Sequence, residues 1–484
     1  MKEMVYQTIC PGCGVGCGLY IREHDEGKIS IDFMKSSPAN LGKLCRFGIK
    51  LPYHYSESNS TVTGSDASME VAIEAAALKL KDADNVAMLS VGNTSNEEHM
   101  AFTKIAETLG TAVQTGVSVY SQLPPECHPY MAGMPFADME KAKRIALFVD
   151  PYVQYPLIVR RLLAAKNNGA SIVSVGTKHL HIADENKDLK PEQYDELELD
   201  SDSLIIADVH PNSDAQQVKQ LLNLAQRTGA KIHFMKPFIN SAGSNRLGKA
   251  KVRKMSLSQI MEGIELGNIK TLVTLDSDPV ELIPDTGAAI KTLKKLDNLI
   301  VISSRNSPVT KLADVIISTE PVYRKAGTFL SVEGMLQENS GTGVEGIDAM
   351  SLLNDKLGGD KFDYVQLHDQ VIESIKDTGS KPEYSMIEVE NVAHIVPEGM
   401  YELKYLYNPF MWFNQTDDND FVLLNRNTVK KLGLKKGGMV TLSNENGTIN
   451  MRYRVEEMPD SVVLSAKKLP IATGVVSTIS MEGC

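Results

Sequence analysis

Four cysteines near the amino end of the chain have the residue type and spacing of a metal–sulfur site. Cys10, Cys13 and Cys17 follow C-x2-C-x3-C spacing in a glycine-rich turn, and Cys45 follows after 27 further residues. Thiolates are soft ligands that select zinc or an iron–sulfur cluster, and glycines let the turn point backbone N–H groups at the sulfurs. Structural zinc sites usually pair two C-x2-4-C knuckles. Three clustered ligands and one remote ligand fit a [4Fe–4S] cluster better, which predicts a protein that moves electrons.

Length and composition narrow the class of protein that surrounds this motif. A chain of 484 residues is too long for one hydrophobic core, and its net charge of −11 argues against a general nucleic-acid binder or a binder of anionic membranes. The start lacks an apolar signal core, and no stretch reaches the roughly 18 apolar residues of a membrane span. We therefore expect a cytoplasmic protein, in whose reducing surroundings structural disulfides among the cysteines are disfavoured.

Alternating helical and strand-like segments must position these cysteines. The central part of the chain predicts an α/β fold with doubly wound parallel sheets, because short apolar runs alternate with helical stretches at residues 86–91, 144–149, 171–175, 203–207, 231–234, 271–275 and 299–302. Beyond about Lys381, short alternating segments at residues 421–425, 432–442 and 448–455 surround the turn signal Asn446-Gly447. This part predicts a separate carboxyl-terminal β-barrel.

Polar loops follow several of the predicted strands. Singly each loop is an ordinary turn, but all of them fall at carboxyl ends of parallel strands, where such sheets bind ligands: Asp150-Pro151-Tyr152, Gly176-Thr177-Lys178-His179, Asp276-Ser277-Asp278-Pro279 and Ser303-Ser304-Arg305-Asn306. No G-x-G-x-x-G follows the first strand and no G-x4-G-K-[ST] is present, so neither a Rossmann NAD or FAD site nor a phosphate loop is supported. The loops suit another nucleotide-like ligand.

The order of these parts resembles the molybdopterin oxidoreductases, the family of formate dehydrogenase and dimethyl-sulfoxide reductase, along nearly the whole chain. Residues 92–98, 150–156, 313–317 and 327–337 resemble the family's T-N-E loop, its G-x-N-P…H-P segment, its A-D-V-x-L-P segment and its G-T-F-x-N-x-E-G-R-x-Q segment. The resemblance implies four parts: a [4Fe–4S] domain at 1–58, a metal and pterin α/β domain at 59–135 with 310–380, a dinucleotide-binding α/β domain at 136–309, and a dinucleotide-binding barrel at 385–484.

The family implies molybdenum or tungsten held by two pterin guanine dinucleotides, the bis-molybdopterin guanine dinucleotide cofactor. Strand-end loops and helix amino termini favour its pyrophosphates. The resemblance carries cofactor contacts over to Asn93, Thr94, Asn96, Glu97, Asp150, Gly176, Thr177, Lys178, Asp276, Asp278, Arg305, Gly327, Thr328 and Asn408.

Cys127 lies where the family places its metal-binding side chain, although a lone cysteine is by base rate a small buried apolar residue. The pair Cys127-His128 resembles formate dehydrogenases and formylmethanofuran dehydrogenases, which implies a sulfur ligand to Mo or W beside an imidazole that handles the proton. The implied reaction is reversible two-electron oxidation of formate to CO2. Lys236 aligns best with the arginine that holds the anion in the family, but it lacks the bidentate fork of arginine.

Two alternatives stay open. Cys45-Arg46-Phe47-Gly48 is closer to the C-R-x-G of formylmethanofuran dehydrogenase, which implies a formylamine substrate. A non-catalytic electron-transfer or scaffold subunit, like the large peripheral subunit of respiratory complex I, keeps this fold without the metal, and the retained Cys127-His128 pair argues against it. Only one cluster motif is present, so a separate iron–sulfur or flavin subunit is expected to carry the electrons onward.

Overall fold

The computed structural model describes residues 4–25, 28–81, 83–121, 123, 127, 131, 133–248, 254–376, 386–390, 396–415, 420–474 and 476–483. The chain divides into two compact units. Unit 1 comprises Met1–Met134, Lys236–Pro279 and Ala289–Pro382, and unit 2 comprises Pro135–Met235, Val280–Ala288 and Glu383–Cys484. No helix in the described ranges is long and apolar enough to cross a membrane. The four predicted domain ranges stay a prediction.

Strands and helices alternate along most of the described chain. The strands are β1 (Met4–Ile9), β2 (Gly18–Glu23), β3 (Ile29–Phe33), β4 (Thr61–Val62), β5 (Ser65–Asp66), β6 (Val86–Leu89), β7 (Val113–Gln114), β8 (Arg144–Leu147), β9 (Ser171–Val175), β10 (Glu185–Lys187), β11 (Ser203–Asp208), β12 (Lys231–Met235), β13 (Thr271–Leu275), β14 (Asn298–Ser303), β15 (Val315–Ser318), β16 (Thr328–Leu330), β17 (Leu336–Glu338), β18 (Tyr401–Tyr405), β19 (Phe421–Asn425), β20 (Met439–Asn444), β21 (Gly447–Glu456), β22 (Val462–Ser465) and β23 (Ser477–Gly483). The α-helices are α1 (Arg46–Lys50), α2 (Met69–Lys81), α3 (Asn96–Thr108), α4 (Val117–Ser121), α5 (Phe136–Met139), α6 (Val159–Asn167), α7 (Ala215–Thr228), α8 (Ser241–Leu247), α9 (Leu257–Glu265), α10 (Pro279–Leu282), α11 (Thr286–Leu293), α12 (Glu345–Lys356), α13 (Tyr364–Lys376), α14 (Pro409–Trp412) and α15 (Arg426–Lys431).

Unit 1 is built on a seven-stranded sheet in the order β5-β4-β15-β14-β13-β6-β7. The strands from β15 to β7 run parallel, and β4 and β5 add an antiparallel edge. Every residue of β13 is buried, as expected for a central parallel strand that is covered on both faces. Side chains of α2, α3, α12 and α13 form one apolar core with the sheet. The carboxyl ends of these parallel strands therefore share one edge, where the polar loops lie.

The cysteine turn lies in a small antiparallel sheet of unit 1 in the order β1-β2-β3. It connects β1 to β2, and the Cys10 N–H donates to the Cys17 carbonyl at 2.8 Å across its base. Gly16 has a φ of +74°, a conformation that glycine adopts without steric cost. The turn is therefore closed at both ends by the sheet.

Unit 2 contains a second parallel sheet and a barrel. The sheet has the order β10-β9-β8-β11-β12, and the closed barrel has the order β18-β22-β19-β21-β20-β23. The predicted α/β fold with parallel sheets and a carboxyl-terminal barrel is confirmed. The strand predicted at 432–442 begins only at Met439, because Gly433 and Gly437 adopt φ values of +63° and +78° that end α15 and form a turn.

A buried ion-pair network connects three segments of unit 1. The ammonium of Lys325, whose side chain is 1% exposed, lies 2.7 Å from Glu98 Oε2 and 3.2 Å from Asp276 Oδ2. Burial raises the pKa of Glu98, and the charge of Lys325 opposes that rise. Burial also opposes the charge of Lys325, but Glu98 and Asp276 outweigh it and raise the Lys325 pKa. One side chain thus joins the start of α3, the end of β13 and the segment before β16.

Replacing Lys325 tests how much unit 1 depends on this network. Lys325→Met keeps the apolar stem but leaves the buried carboxyl groups of Glu98 and Asp276 without their cation. We expect a loss of about 3–5 kcal/mol in the free energy of unfolding, measured by urea denaturation. Lys356→Met, which removes the more exposed ion pair with Glu74 in the same unit, is the control and is expected to cost less than about 1 kcal/mol. Equal losses for both variants would contradict the prediction.

Candidate functional site

The four amino-terminal cysteines form one group in unit 1. None of the four forms a disulfide, and burial raises the pKa of Cys13 to about 12 and raises the pKa values of the other three as well. After burial, the largest effects on Cys17 come from Cys13, Cys10 and Cys45, so the thiols are close enough to influence one another. Bringing four thiolates together here requires a compensating positive charge, which bound iron supplies.

Backbone N–H groups face the cysteine sulfurs. These hydrogen bonds lower the thiol pKa values and come from Gly12 for Cys10, from Val15 for Cys13, and from Gly48 and Phe47 for Cys45. No set of three or more His, Cys, Asp or Glu side chains in the described ranges is arranged to hold a single metal ion. Four thiols that receive backbone amide donors are the ligand set expected of an iron–sulfur cluster.

Segments distant in sequence hold the cysteine turn. Gly14 donates its N–H to the Lys236 carbonyl at 3.0 Å and accepts from the Val332 N–H at 2.8 Å. The Gln337 side-chain amide donates to the Gly16 carbonyl at 2.9 Å. A Cβ added at Gly14 would lie 2.6 Å from Val332 Cγ1, so only glycine permits this close approach.

Cys127 and Lys236 lie in the same unit as the cysteine group. Cys127 is completely buried, and the Lys236 ammonium donates to the Met131 carbonyl at 2.7 Å, four residues along the chain from Cys127. Burial lowers the pKa of Lys236 to about 8. Because the Lys236 carbonyl accepts from Gly14, this one residue contacts both the cysteine turn and the segment after Cys127. His128 lies outside the described residues.

The T-N-E-type loop and the G-T-F segment of unit 1 bind each other. Asn96 donates to the Thr328 hydroxyl at 3.1 Å, and Glu97 accepts from the Thr328 N–H at 2.8 Å and its hydroxyl at 2.9 Å. The Thr94 hydroxyl donates to the carboxylate of Glu98. Gly327 has a φ of +145°, and a Cβ there would lie 2.6 Å from Ser95 Cβ. The polar groups of Asn96, Glu97 and Thr328 therefore fix the two segments together.

The strand-end residues after β13 and β14 also have partners within unit 1. Asp276 accepts from the Ser304 N–H at 2.8 Å, in addition to its contact with Lys325. Asp278 accepts from the Val309 N–H at 2.7 Å. Arg305 is half-buried and its backbone pairs with Glu57. The structure thus brings Asp276, Asp278 and Arg305 to one edge of the sheet, with both carboxylates already holding neighbouring loops.

In unit 2, the structure pairs two of the predicted contact residues directly. Lys178 Nζ lies 3.0 Å from Asp150 Oδ2, with Asp150 almost fully buried. Gly176 and Thr177 precede Lys178 in the loop after β9, where Gly176 is exposed and Thr177 is half-buried. This loop and the loop after β8 therefore meet through one charged pair at the carboxyl edge of the five-stranded sheet.

Asn408, the predicted contact in the barrel, caps a short helix. Its side-chain oxygen accepts from the Phe410 N–H at 3.1 Å, and its amide donates to the carbonyls of Leu406 at 2.9 Å and Ala466 at 2.8 Å. This is the usual arrangement of an N-cap residue, and it fixes the loop between β18 and α14.

Four polar side chains of unit 1 have buried atoms with unused hydrogen-bonding capacity. The sequence analysis predicted one of them, Asn93, and did not single out the other three. Asn93 Oδ1 and the hydroxyls of Thr115, Ser118 and Ser121 have no hydrogen-bond partner in the part of the chain that the structure describes. Ser118 and Ser121 are three residues apart on α4 and share a helix face. Buried polar atoms of this kind are normally satisfied, so each of these four side chains is a candidate contact for a polar ligand. Serines at this spacing among the apolar residues of α4 were the available signal.

Comparison with known proteins agrees with this geometry. Residues 70–345 match the molybdopterin oxidoreductase model, residues 3–54 match its Fe4S4 domain, and residues 399–472 match the molydopterin dinucleotide binding domain. The chain is 24% identical to the F420-dependent formate dehydrogenase subunit alpha of Methanocaldococcus jannaschii, over 76% of this chain and 73% of the relative.

Two further similarities are more limited. The NADPH-Fe(3+) oxidoreductase subunit alpha of Geobacter sulfurreducens is 34% identical over 110 residues, which cover 22% of this chain and 13% of the relative. The structure of acetylene hydratase from Pelobacter acetylenicus superposes with a TM-score of 0.62 at 11% identity, covering 100% of both chains, which shows the fold alone. With all three domain models matched in order, and the first covering more than half of the chain, this protein belongs to the molybdopterin oxidoreductase family.

Proposed function

We propose that this protein is the catalytic subunit of a formate dehydrogenase that oxidises formate to CO2 reversibly. It would bind bis-molybdopterin guanine dinucleotide with Mo or W and one [4Fe–4S] cluster. The observation that carries the proposal is the placement of Lys236, which contacts both the cysteine turn and the segment that follows the fully buried Cys127. The similarity to a formate dehydrogenase subunit supports formate as the substrate.

Each group in this arrangement has a role that its surroundings favour. Cys10, Cys13, Cys17 and Cys45 would hold the cluster through thiolates stabilised by backbone amides. Cys127 would be the protein ligand of Mo or W, and the adjacent His128 would take up the proton of the C–H bond. When bound, the metal–pterin group would accept the two electrons of that bond, which the cluster releases singly.

Lys236 would orient the substrate. Formate is an anion, and a buried ammonium is a strong partner for it because little water competes in a low-dielectric site. The Met131 carbonyl accepts from the ammonium at 2.7 Å, which fixes the position of the charge that formate would meet. A single charge fixed in this way can hold one carboxylate oxygen and leave the C–H bond free to face the metal.

The dinucleotide contacts are proposed according to what each residue has available. Asn93, with the hydroxyls of Thr115, Ser118 and Ser121, would donate to or accept from the pterin. The remaining predicted residues would contact the dinucleotides through their backbone, or would fix the loops whose backbone makes the contact. These residues are Thr94, Asn96, Glu97, Asp276, Asp278, Arg305, Gly327 and Thr328 in unit 1, and Asp150, Gly176, Thr177, Lys178 and Asn408 in unit 2.

A formylamine is the second candidate substrate. Arg46 directly follows Cys45 and is exposed at the first position of α1, as in the C-R-x-G segment of formylmethanofuran dehydrogenase. Formate dehydrogenases tend to have a lysine at the next position, which is Phe47 in this chain. Dye-reduction assays distinguish the two substrates, because formate and a formylamine can be offered separately to one preparation. Faster dye reduction with the formylamine would favour this alternative.

Metal content and the Cys127 variant test the catalytic role. We expect purified holoprotein to contain about four iron atoms with Mo or W and two pterin guanine dinucleotides per chain. Cys127→Ala should retain the iron and lose at least about 100-fold in formate-dependent dye reduction, because a ligand to the metal is removed. Iron without Mo or W in the wild type would contradict the enzymatic proposal, and full activity of Cys127→Ala would contradict the ligand assignment.

The pH dependence of formate binding tests Lys236. Its pKa is lowered to about 8, so the cation is present below that pH and is lost as the pH rises through it. We expect KM for formate to be constant from pH 6 to about 7.5 and to rise up to about tenfold per pH unit above about 8. Lys236→Arg, which stays charged, should remove this rise.

The control for the pH experiment is a lysine variant outside the site. Lys356→Met should reproduce the wild-type KM profile, whereas Lys236→Met should show at every pH the raised KM that the wild type reaches only well above pH 8. A wild-type KM that does not change between pH 7 and 9 would show that another group holds the anion.

A further inference from the structure

The segment of residues 33–53 differs in charge from the rest of the chain. It contains four basic residues and no acidic residue, although the whole chain has a net charge of −11. All of its residues are described, and the basic ones are Lys35, Lys43, Arg46 and Lys50. The segment also contains Cys45. A positive region on a strongly negative protein therefore surrounds one of the proposed cluster ligands.

Acidic residues beside this segment do not cancel its charge, because they have partners of their own. Asp32 lies 2.6 Å from Arg22, and Arg324 pairs with Glu23 and, at 3.2 Å, with Glu57. Lys35 and Lys43 are exposed, and neither forms an ion pair in the part of the chain that the structure describes. Their field is therefore directed to solvent.

Large apolar side chains lie between these cations. Phe33 is 52% exposed, Leu41 is 47% exposed and Ile49 is 51% exposed. Tyr53, in the short turn after α1, is 85% exposed. Single exposed apolar residues are normal, but four within 21 residues, surrounded by lysines, have the composition of a contact surface with an apolar centre and a charged rim. Residues 33–53 are called the basic face below.

The basic face is fixed directly on the cysteine group. The buried Asn40 accepts from the Gly18 N–H at 3.0 Å and donates to the carbonyls of Gly18 at 3.0 Å and Lys43 at 2.7 Å. Gly18 follows Cys17, and Cys45 immediately precedes α1. Beneath the face, Phe47 is buried against Gly12. The exposed side chains therefore extend from the backbone that carries Cys45 and, through Asn40, holds the residue after Cys17.

We propose that the basic face is the docking surface for a separate acidic protein that carries a one-electron redox centre. The proposal rests on the function proposed above, in which the cluster releases electrons singly. Charge complementarity selects the partner: a positive, partly apolar surface attracts a carrier whose redox centre lies under carboxylates, and it repels basic carriers. Complexes of this kind have small interfaces, form rapidly and are weakened by salt. These properties suit a step in which the carrier must dissociate after it has transferred one electron.

The experiment measures electron transfer between the holoenzyme and an acidic [2Fe–2S] ferredoxin as the probe. Stopped-flow absorbance would follow reduction of the oxidised enzyme by the reduced ferredoxin, at ionic strengths from about 0.01 to 0.5 M. We expect the second-order rate constant of the wild type to fall by at least about tenfold across this range. The double variant Lys35→Glu/Lys43→Glu should lose at least about tenfold at low salt and should lose most of the salt dependence.

The matched control makes the same change in net charge elsewhere. Lys435→Glu/Lys436→Glu alters two exposed lysines of unit 2 and should leave the rate within about twofold of the wild type, because neither lysine belongs to the basic face. Reduction by dithionite, a small reductant, should be equal in all variants and shows that the cluster is intact. Equal losses in both double variants, or a wild-type rate that does not depend on salt, would overturn the proposal.

Two further measurements exclude other occupants and separate this proposal from the proposed function. Sedimentation of the wild type and of Tyr53→Ser shows whether the face joins two copies of this chain, and a dimer lost in the variant would overturn the carrier proposal. A basic cytochrome used as the probe should react more slowly at low salt than at high salt. Because electrons enter from ferredoxin, the outcome does not depend on formate activity, which is measured separately.

Discussion

The buried charge of Lys325 is the constraint on which the arrangement of unit 1 depends. Carboxylates stabilise an ammonium in a low-dielectric interior, and Lys325 contacts two of them on different elements, Glu98 on α3 and Asp276 after β13. Glu97, next to Glu98, binds Thr328 at the start of β16, and Val332, in the turn after β16, holds Gly14 of the cysteine turn. A continuous series of contacts therefore connects the strand-end edge of the sheet to the proposed cluster site.

The polar residues of the site fall into two groups. One group hydrogen-bonds to neighbouring loops, and the other has polar atoms that remain available for a ligand. Asn96, Glu97 and Thr328 use their polar groups on one another, which makes the loops rigid before any ligand arrives. Asn93 Oδ1 and the hydroxyls of Ser118 and Ser121 are buried without partners among the described residues. Rigid loops that present unsatisfied groups reduce the entropy cost of binding a large cofactor. This division also explains why the signature segments recognisable in the sequence include structural residues as well as contact residues.

The sequence predicted the features that depend on local pattern. The cysteine spacing, the buried parallel strands such as β9 and β13, and the carboxyl-terminal barrel all follow from short-range periodicity and turn residues, and the fold agrees with them. Lys325 could not be assigned in this way, because its contact with Glu98 joins residues 227 positions apart and a lysine in a polar stretch is usually exposed. For Lys236 the family resemblance singled out the residue, but its contact with Met131 spans 105 positions and was not foreseen. Pairings over such distances are properties of the assembled core.

The anchoring of the cysteine turn has a consequence for how the protein is made. Cys10, Cys13 and Cys17 are synthesised well before the residues that hold their turn, and the contact of Gln337 with Gly16 spans 321 positions. During synthesis the thiols are therefore present long before the structure that shields them from solvent and oxidants. The turn that carries three of the proposed cluster ligands is therefore fully held only after residues 332–337 have folded onto it.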